Sequence, residues 1–304
     1  MDIIESVNMH IKEVVLKEQY QELIQVFSGI DNWAVVKGAV LSYLCYNNAG
    51  HRKVGDIDIL IPRTSVNLIE NKLLCNDFVS SGNSHLSRRT ERIFFLSSSH
   101  QLRPYHKNMA HSQIKIDVNF DLFWGEYEGE RIDMGNFLLD TIEMDIYNRK
   151  VKTLAPLKAL IQLILHHYKD MNSIYLLATQ KSIKYEMFRD VYYLLKNNID
   201  DIPLERLYAM SVEFHIVPYV FYVLYYTSKI FDDVILKRYM EAFRTTEGEL
   251  LLNFYGLCNK ERKEWRCDFK TRLASDCLYY LIKNDLTEED FEKIRINRSI
   301  FIGE

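Results

Sequence analysis

The segment at residues 56–62, with the sequence DIDILIP, limits the possible folds of this chain more than any other stretch. Its apolar run has the length of a buried strand, and Pro62 ends it because proline cannot donate to a sheet ladder. Side chains two positions apart on a strand point to the same face. The segment therefore predicts a buried strand that begins with two carboxylates, Asp56 and Asp58, on one face.

The residues on either side of this strand predict a sheet with helices around it. Apolar side chains at helical spacing predict a long amphipathic helix from about residue 2 to 27. A short apolar run at residues 33–36 predicts a second buried strand, which ends at Lys37-Gly38 before a helix at residues 39–46. The other predicted elements are a helix capped by Thr64 or Ser65 that runs to about Cys75, strands at residues 78–79, 92–96 and 114–120, and a mobile loop between the last two strands.

The second half of the chain has a different pattern. Pro156 suits the first turn of a helix, and the apolar residues after it repeat at helical spacing to about residue 294. The predicted fold class is α/β (α+β), with a small mixed sheet flanked by helices and followed by a helical bundle. We predict two domains, a catalytic domain with an N-terminal helix at residues 1–150 and a helical domain at residues 151–304.

Charge and hydropathy argue against two classes of partner. The 304-residue chain has a formal net charge of -4, which gives no general attraction to nucleic acid. Its most apolar stretch, at residues 216–226, is shorter than the ~18 residues of a membrane span, and the first residues lack a signal-peptide pattern. The 5 cysteines lack the spacing of a zinc site and are typical of reduced thiols. We therefore predict a cytoplasmic protein with neither general nucleic-acid binding nor membrane contact.

Asp56 and Asp58 form a candidate metal site. Their Cα atoms should lie ~6.6 Å apart on a strand, which suits two magnesium ions separated by ~3.5–4 Å. Two carboxylates this close repel each other and favour a cation between them, and magnesium prefers oxygen ligands. The alternative interpretation is that both aspartates lie at the strand end and only face water.

Two further groups of residues extend this candidate site. At Lys37-Gly38, glycine lets the backbone approach a phosphate closely, and the helix that follows directs its N–H groups at the anion. Lys37 and Arg52 would add positive charge for a triphosphate. Downstream, the alternating segment at residues 116–121 places Asp117 on one face of another strand, where it would be a third metal ligand.

These motifs resemble the DNA polymerase β-like nucleotidyltransferase superfamily, in particular its branch of uncharacterised bacterial nucleotidyltransferases. The resemblance covers roughly residues 30 to 225, with a specific metal motif and a looser helical one. The motifs that carry it are Lys37-Gly38, Arg52-x-x-x-Asp56-x-Asp58, Ile116-Asp117-Val118, His166-His167 and Arg189-Asp190.

The resemblance implies a function. Asp56 and Asp58 would bind two Mg²⁺ ions, and Asp117 would complete the metal that activates the acceptor and could accept its proton. Lys37 and Gly38 would hold the triphosphate. The implied reaction is attack by an acceptor hydroxyl or phosphate on the α-phosphorus of a nucleoside triphosphate such as ATP, with release of pyrophosphate.

The sequence departs from the superfamily pattern at two positions and leaves other functions open. Ala39 stands where the superfamily commonly has serine or glycine, and Asn119 stands where the branch usually has histidine. The acceptor would be a small molecule or a peptide. One alternative is a toxin-like enzyme that nucleotidylates proteins, and another is a nucleotide-binding protein without turnover.

Overall fold

The computed structural model describes residues 3–52, 55–80, 87–125, 127–179 and 182–301, with the backbone alone at residues 3–12, 88, 91 and 299–301. These ranges contain a seven-stranded mixed sheet, helices that flank it, and a further helical region. The predicted fold class is therefore confirmed. Among the described residues, no helix combines the length and the apolar character that a membrane crossing requires.

The helices and strands follow one another along the whole chain, with short 3-10 turns at Arg63–Ser65 and Lys283–Asp285. The first elements are α1 Ile3–Val26, β1 Ala34–Val35, α2 Gly38–Tyr46, β2 Ile57–Leu60, α3 Val66–Cys75, β3 Val79–Ser80, α4 Arg88–Ser98, β4 Tyr105–Asn108, β5 Gln113–Asn119, α5 Met134–Phe137, β6 Thr141–Ile146 and β7 Arg149–Leu154. They are followed by α6 Pro156–Asn172, α7 Ile174–Ala178, α8 Tyr185–Asn197, α9 Leu204–Glu213, α10 Val217–Ile230, α11 Val234–Ala242, α12 Thr246–Leu251, β8 Phe254–Tyr255, β9 Lys263–Glu264, α13 Phe269–Ala274, α14 Tyr279–Ile282 and α15 Glu288–Phe301.

The chain divides into two compact units, each built from several segments. The first unit comprises Met1–Ser81, His100–Asp121 and Ile132–Ala159. The second comprises Gly82–Ser99, Leu122–Arg131 and Leu160–Glu304. The predicted domains at residues 1–150 and 151–304 stay a prediction.

The sheet of the first unit has the order β3-β4-β5-β2-β1-β7-β6. Strand β2 lies at its centre, parallel to β5 on one side and antiparallel to β1 on the other. Strand β1 is parallel to β7, and the β6–β7 and β4–β5 pairs are antiparallel. All four side chains of β2 are buried, as the apolar run in the sequence predicts.

Helix α3 identifies the two faces of this sheet. The Tyr105 hydroxyl donates a 2.7 Å hydrogen bond to Glu70 in α3, and Tyr105 is the register partner of Ile116. Ile116 therefore points to the face that α3 covers. Because side chains alternate along a strand, the next residue, Asp117, points to the opposite face.

Two predictions in the region between β3 and β5 are wrong. Residues 92–96, predicted as a strand, belong to helix α4, where the Ser87 side chain accepts the Thr90 N–H and caps the first turn. The loop predicted between that strand and β5 contains strand β4. A short apolar run cannot distinguish strand from helix by periodicity, and here the cap favours the helix.

Other predictions of local structure were incomplete. Helix α3 ends at Cys75 as predicted, but the predicted side-chain cap is absent. Ser65 is at the N-cap position and makes no capping hydrogen bond, and Thr64 lies in the preceding 3-10 turn. The β6–β7 hairpin was not predicted. Helix α6 begins at Pro156 as predicted, but the short β8–β9 ladder interrupts the predicted run of helices.

The second unit is mainly helical and packs around helix α10. This helix contacts α8, α9, α11 and α12, and residues 220–224 within it are fully or almost fully buried. The Tyr222 hydroxyl donates a 3.1 Å hydrogen bond to Asn172 at the end of α6. A buried phenol with a partner stabilises such a core, whereas an unpaired phenol would cost free energy.

Candidate active site

The pairing of β2 with β5 brings two acids together. Asp58 and Asp117 are register partners on these parallel strands, so they are direct neighbours and point to the same face. Neighbouring strands lie about 4.8 Å apart, which sets the spacing of the two backbones. Asp58 is buried, with 8% of its surface exposed, and Asp117 is half-buried. Two acids distant in the sequence thus lie side by side.

Asp56 lies one residue before β2 and is exposed. The pKa of its carboxyl is raised above its usual range, first by the partial loss of hydration and then by the negative charge of Asp58. The positive charges of Lys37 and Lys115 lower it in part. The repulsion between Asp56 and Asp58 that the sequence predicts is therefore present, and nearby cations offset only part of it.

Lys37 lies two residues after the short strand β1 and contacts Asp58 directly. Its ammonium group donates a 2.6 Å hydrogen bond to a carboxylate oxygen of Asp58. The backbone supports this contact, because the Val36 N–H donates to the Asp58 carbonyl oxygen at 2.9 Å. The exposed fractions of the two side chains are 19% for Lys37 and 9% for Asp58, so water screens this ion pair only partly. The structure therefore places Lys37 at the Asp58 carboxylate.

Gly38 opens helix α2 with a φ of 55°. This left-handed backbone conformation favours glycine, which lacks the Cβ that would clash. Burial chiefly, and the charge of Asp58 to a smaller extent, raise the pKa of the buried Tyr20 phenol in α1. Hydrogen bonding from the Ala39 backbone lowers that pKa in part. Tyr20 therefore lies near the start of α2, where the sequence predicts phosphate binding, and no sequence signal pointed to it.

Arg52 is fixed against helix α2 through its backbone. The Arg52 N–H donates to the Ser42 hydroxyl at 3.1 Å, and that hydroxyl donates to the Asn48 carbonyl oxygen at 2.6 Å. The Gly50 N–H in turn donates to the Asn48 side chain at 2.8 Å, which closes the turn. These contacts fix the position of the start of the loop that precedes β2. A contact between Arg52 and a triphosphate stays a prediction.

Asn119 and Asp121 have structural partners near the acids. The buried amide of Asn119 donates to the Ile59 carbonyl oxygen at 3.2 Å, and so ties β5 to β2 beside Asp117. Asp121 lies beyond the end of β5, where Arg63 approaches its carboxylate at 3.4 Å and lies over the Phe120 ring. Asn119, which stands where histidine was expected from the resemblance, therefore holds the register of the two acid-bearing strands.

Comparison with known proteins identifies the family. A family model described as "Uncharacterised nucleotidyltransferase" matches residues 8–232, most of the chain. The chain belongs to this family. Comparison with curated proteins and with solved structures gave no significant match.

The matched range of this nucleotidyltransferase contains every residue that the sequence analysis assigned to the site, and reaches helices α6 and α8 of the second unit. In α6, His166 lies 3.3 Å from Asp170, one turn later, and His167 is buried. Asp190 in α8 is buried, with 1% of its surface exposed. Burial of His167 and Asp190 within this unit favours a structural role for both.

Within the described ranges of the nucleotidyltransferase, no three His, Cys, Asp or Glu side chains are grouped closely enough to hold a metal ion as they stand. The register nevertheless brings Asp58 and Asp117 together, with Asp56 two positions before Asp58. Their oxygen donors are the type that magnesium prefers. The Lys37 ammonium group lies against the Asp58 carboxylate, so a positive charge is already present at one of these acids.

Proposed function

We propose that this nucleotidyltransferase belongs to the DNA polymerase β-like superfamily and depends on magnesium. It would transfer a nucleoside monophosphate from a nucleoside triphosphate to a hydroxyl or phosphate group of an acceptor, and release pyrophosphate. The family supports nucleotidyl transfer, and the finer statements rest on the site. The observation that carries the proposal is the register pairing of Asp58 with Asp117 on one face of the sheet.

Different residues of the site would bind the triphosphate and act on the acceptor. Lys37 would donate to the triphosphate while it keeps its hydrogen bond to Asp58, because an ammonium group has three donors. Gly38 would let the phosphates approach the start of α2 without a side chain in the way. Asp117 would accept the proton of an attacking hydroxyl. These groups position the reactants and compensate charge, which is the main source of catalysis in such transfers.

Asp56, Asp58 and Asp117 would hold magnesium. Their carboxylates would have to turn toward the ion, since three of them are not grouped round one point in the described structure. When bound, two magnesium ions would neutralise charge on the triphosphate and on the attacking oxygen. The raised pKa of Asp56 supports this assignment, because a carboxyl destabilised by its neighbour gains from a bound cation.

The acceptor would be a small molecule or a peptide, and general nucleic-acid binding is not part of the proposal. We also propose a cytoplasmic location, where triphosphates and magnesium are available. It accords with the five cysteines, all in the described part of the chain, none of which forms a disulfide bond. Transfer to a protein side chain, as in toxin-like enzymes, differs only in the acceptor and uses the same acids.

Mass spectrometry with the full-length chain tests the proposal. The chain would be incubated with each nucleoside triphosphate, Mg²⁺ and pools of phosphorylated, hydroxylated and peptide acceptors, beside matched reactions that contain chelator. We expect one acceptor to gain the mass of a nucleoside monophosphate only when Mg²⁺ is present. Triphosphate binding without pyrophosphate release from any pool would instead identify a binding protein without turnover, and transfer that persists in chelator would contradict the metal assignment.

A further inference from the structure

The segment that runs along the outer side of β5 contains a β-bulge. An isolated antiparallel bridge joins Gln101 to Asn119, and the regular β4–β5 ladder begins where Tyr105 pairs with Ile116. Between these two points, three residues of the incoming segment face only two residues of β5. One extra residue on one strand is the definition of a bulge, and bulges reorient side chains beside active sites.

The extra residue lies opposite the third acid. The Leu102 N–H donates to the Val118 carbonyl oxygen at 2.9 Å, which places these two residues opposite each other. Arg103 and Pro104 therefore share the position opposite Asp117. Proline has no N–H to offer a ladder, so it suits a place where the ladder is interrupted.

Arg103 is buried, with 6% of its surface exposed. Its neighbour Leu102 and its near neighbour Tyr105 are also buried, and Tyr105 points to the face that α3 covers. Because Arg103 lies opposite Asp117, it belongs to the other face of the sheet, which carries the acids. A guanidinium that is mostly out of water interacts more strongly with an anion than an exposed one does.

The sheet order places the charges in a row. Lys37, two residues after β1, comes first, then Asp58 on β2, Asp117 on β5, and Arg103 on the far side. We infer that the acceptor is a phosphate monoester whose phosphate group binds Arg103 beside Asp117. This inference rests on the proposed function, in which the triphosphate occupies the Lys37 side of the acids and the attacking group occupies the other side.

The chemistry of the two groups fits. A phosphate monoester has three terminal oxygens, so two can pair with the forked donors of Arg103 while the third attacks. The attacking oxygen forms a P–O–P bond with the α-phosphorus, and the bond from the α-phosphorus to pyrophosphate breaks, its electron pair leaving with pyrophosphate. A dianionic phosphate has no proton to lose, so none passes to Asp117.

The test uses the full-length chain saturated with a non-hydrolysable triphosphate analogue and Mg²⁺, so that the triphosphate position is filled. Inorganic phosphate is then titrated and its binding followed by ³¹P NMR, with the affinity for the analogue measured separately by calorimetry. Three variants are compared with wild type: Arg103→Gln, Arg103→Lys and, as a control, Lys150→Gln, which removes a cation that is 67% exposed on β7 of the same sheet.

We expect Arg103→Gln to weaken phosphate binding about tenfold or more, as for a lost charge-assisted hydrogen bond, with little change in affinity for the analogue. Arg103→Lys keeps the charge without the fork, so it should give an intermediate loss and serves as the test if the first variant fails to fold. Unchanged phosphate binding in both, or an equal loss of analogue affinity, would overturn the inference. If the wild-type chain binds the analogue but no phosphate, only this inference is overturned. If it binds neither, the proposed function is overturned as well.

Discussion

The ammonium nitrogen of Lys37 lies 2.6 Å from a carboxylate oxygen of Asp58, the acid at the centre of the proposed site. One residue of the proposed phosphate turn and one of the proposed metal-binding strand are thus in contact. In the proposed function, this contact would couple phosphate binding and metal binding through the Lys37 side chain. We therefore expect substitution of Lys37 to act on triphosphate binding and substitution of Asp58 to act on transfer, although each also removes the contact between the two side chains.

Lys37→Ala should weaken binding of a triphosphate analogue by about 10- to 100-fold in the presence of Mg²⁺. The reason is the loss of a charge-assisted hydrogen bond, which contributes about 1.5–3 kcal/mol. Isothermal calorimetry measures the affinity directly. Lys150→Ala, at an exposed cation of the same sheet, should bind like wild type. An affinity for the analogue that is equal in Lys37→Ala and wild type would remove Lys37 from the site.

Asp58→Asn should lower the transfer rate by about 100-fold or more while the protein still folds. The substitution removes a charge that would bind metal but keeps the shape of the side chain. It loses the ion pair with Lys37 and also relieves the repulsion on Asp56, so the melting temperature should change by only a few degrees. A transfer assay and a melting curve decide the case: near-normal turnover would contradict the catalytic role, and unfolding would indicate a structural one.

Asp56→Asn should raise the melting temperature at neutral pH by a few degrees at most, in metal-free buffer. The folded protein holds the Asp56 pKa above its usual value of 3.8, so the charged carboxylate opposes folding. The stability linked to this group is fully present below pH 3.8 and is lost as pH rises through the raised pKa. The difference between variant and wild type should therefore shrink as the pH falls toward 3.8. Melting curves over a pH series test this, and a difference that is constant over the series would contradict it.

Gly38→Ala should lower the free energy of unfolding by about 1–2 kcal/mol, because a side chain disfavours the left-handed φ of 55° at this residue. Chemical denaturation gives this quantity. Gly55→Ala is the matched control, since an added Cβ there meets no atom within 4 Å and its φ is not in the left-handed region. Equal stability of Gly38→Ala and wild type would mean that the turn can adopt another conformation.

The pairing of the acids could be expected from the sequence because the alternation of β2 and of β5 is strong. Asp58 and Asp117 each lie among apolar residues on a strand, and parallel pairing of the two strands brings them together. The sequence could not place Tyr20 beside the Ala39 backbone, because that proximity depends on how α1 lies against the start of α2. Tertiary packing of this kind leaves no periodic signal.

The errors have local physical causes. Helix α4 was predicted as a strand because its five apolar and basic residues were considered without Ser87, the cap that starts the helix. The bulge at Arg103 and Pro104 could not be predicted, since a bulge depends on the register of two strands and not on either sequence alone.

The partnership of β2 and β5 also has a consequence for how the protein is made. Asp58 and Asp117 are about 60 positions apart in the chain, and only a non-local pairing brings them together. Such pairings close a long loop, and chains that depend on them fold more slowly than chains with local contacts. During synthesis, a chain that ends before β5 carries Asp56 and Asp58 without Asp117, the proposed third acid. Nascent and truncated chains should therefore be inert toward triphosphates, and activity should appear only once this late pairing is complete.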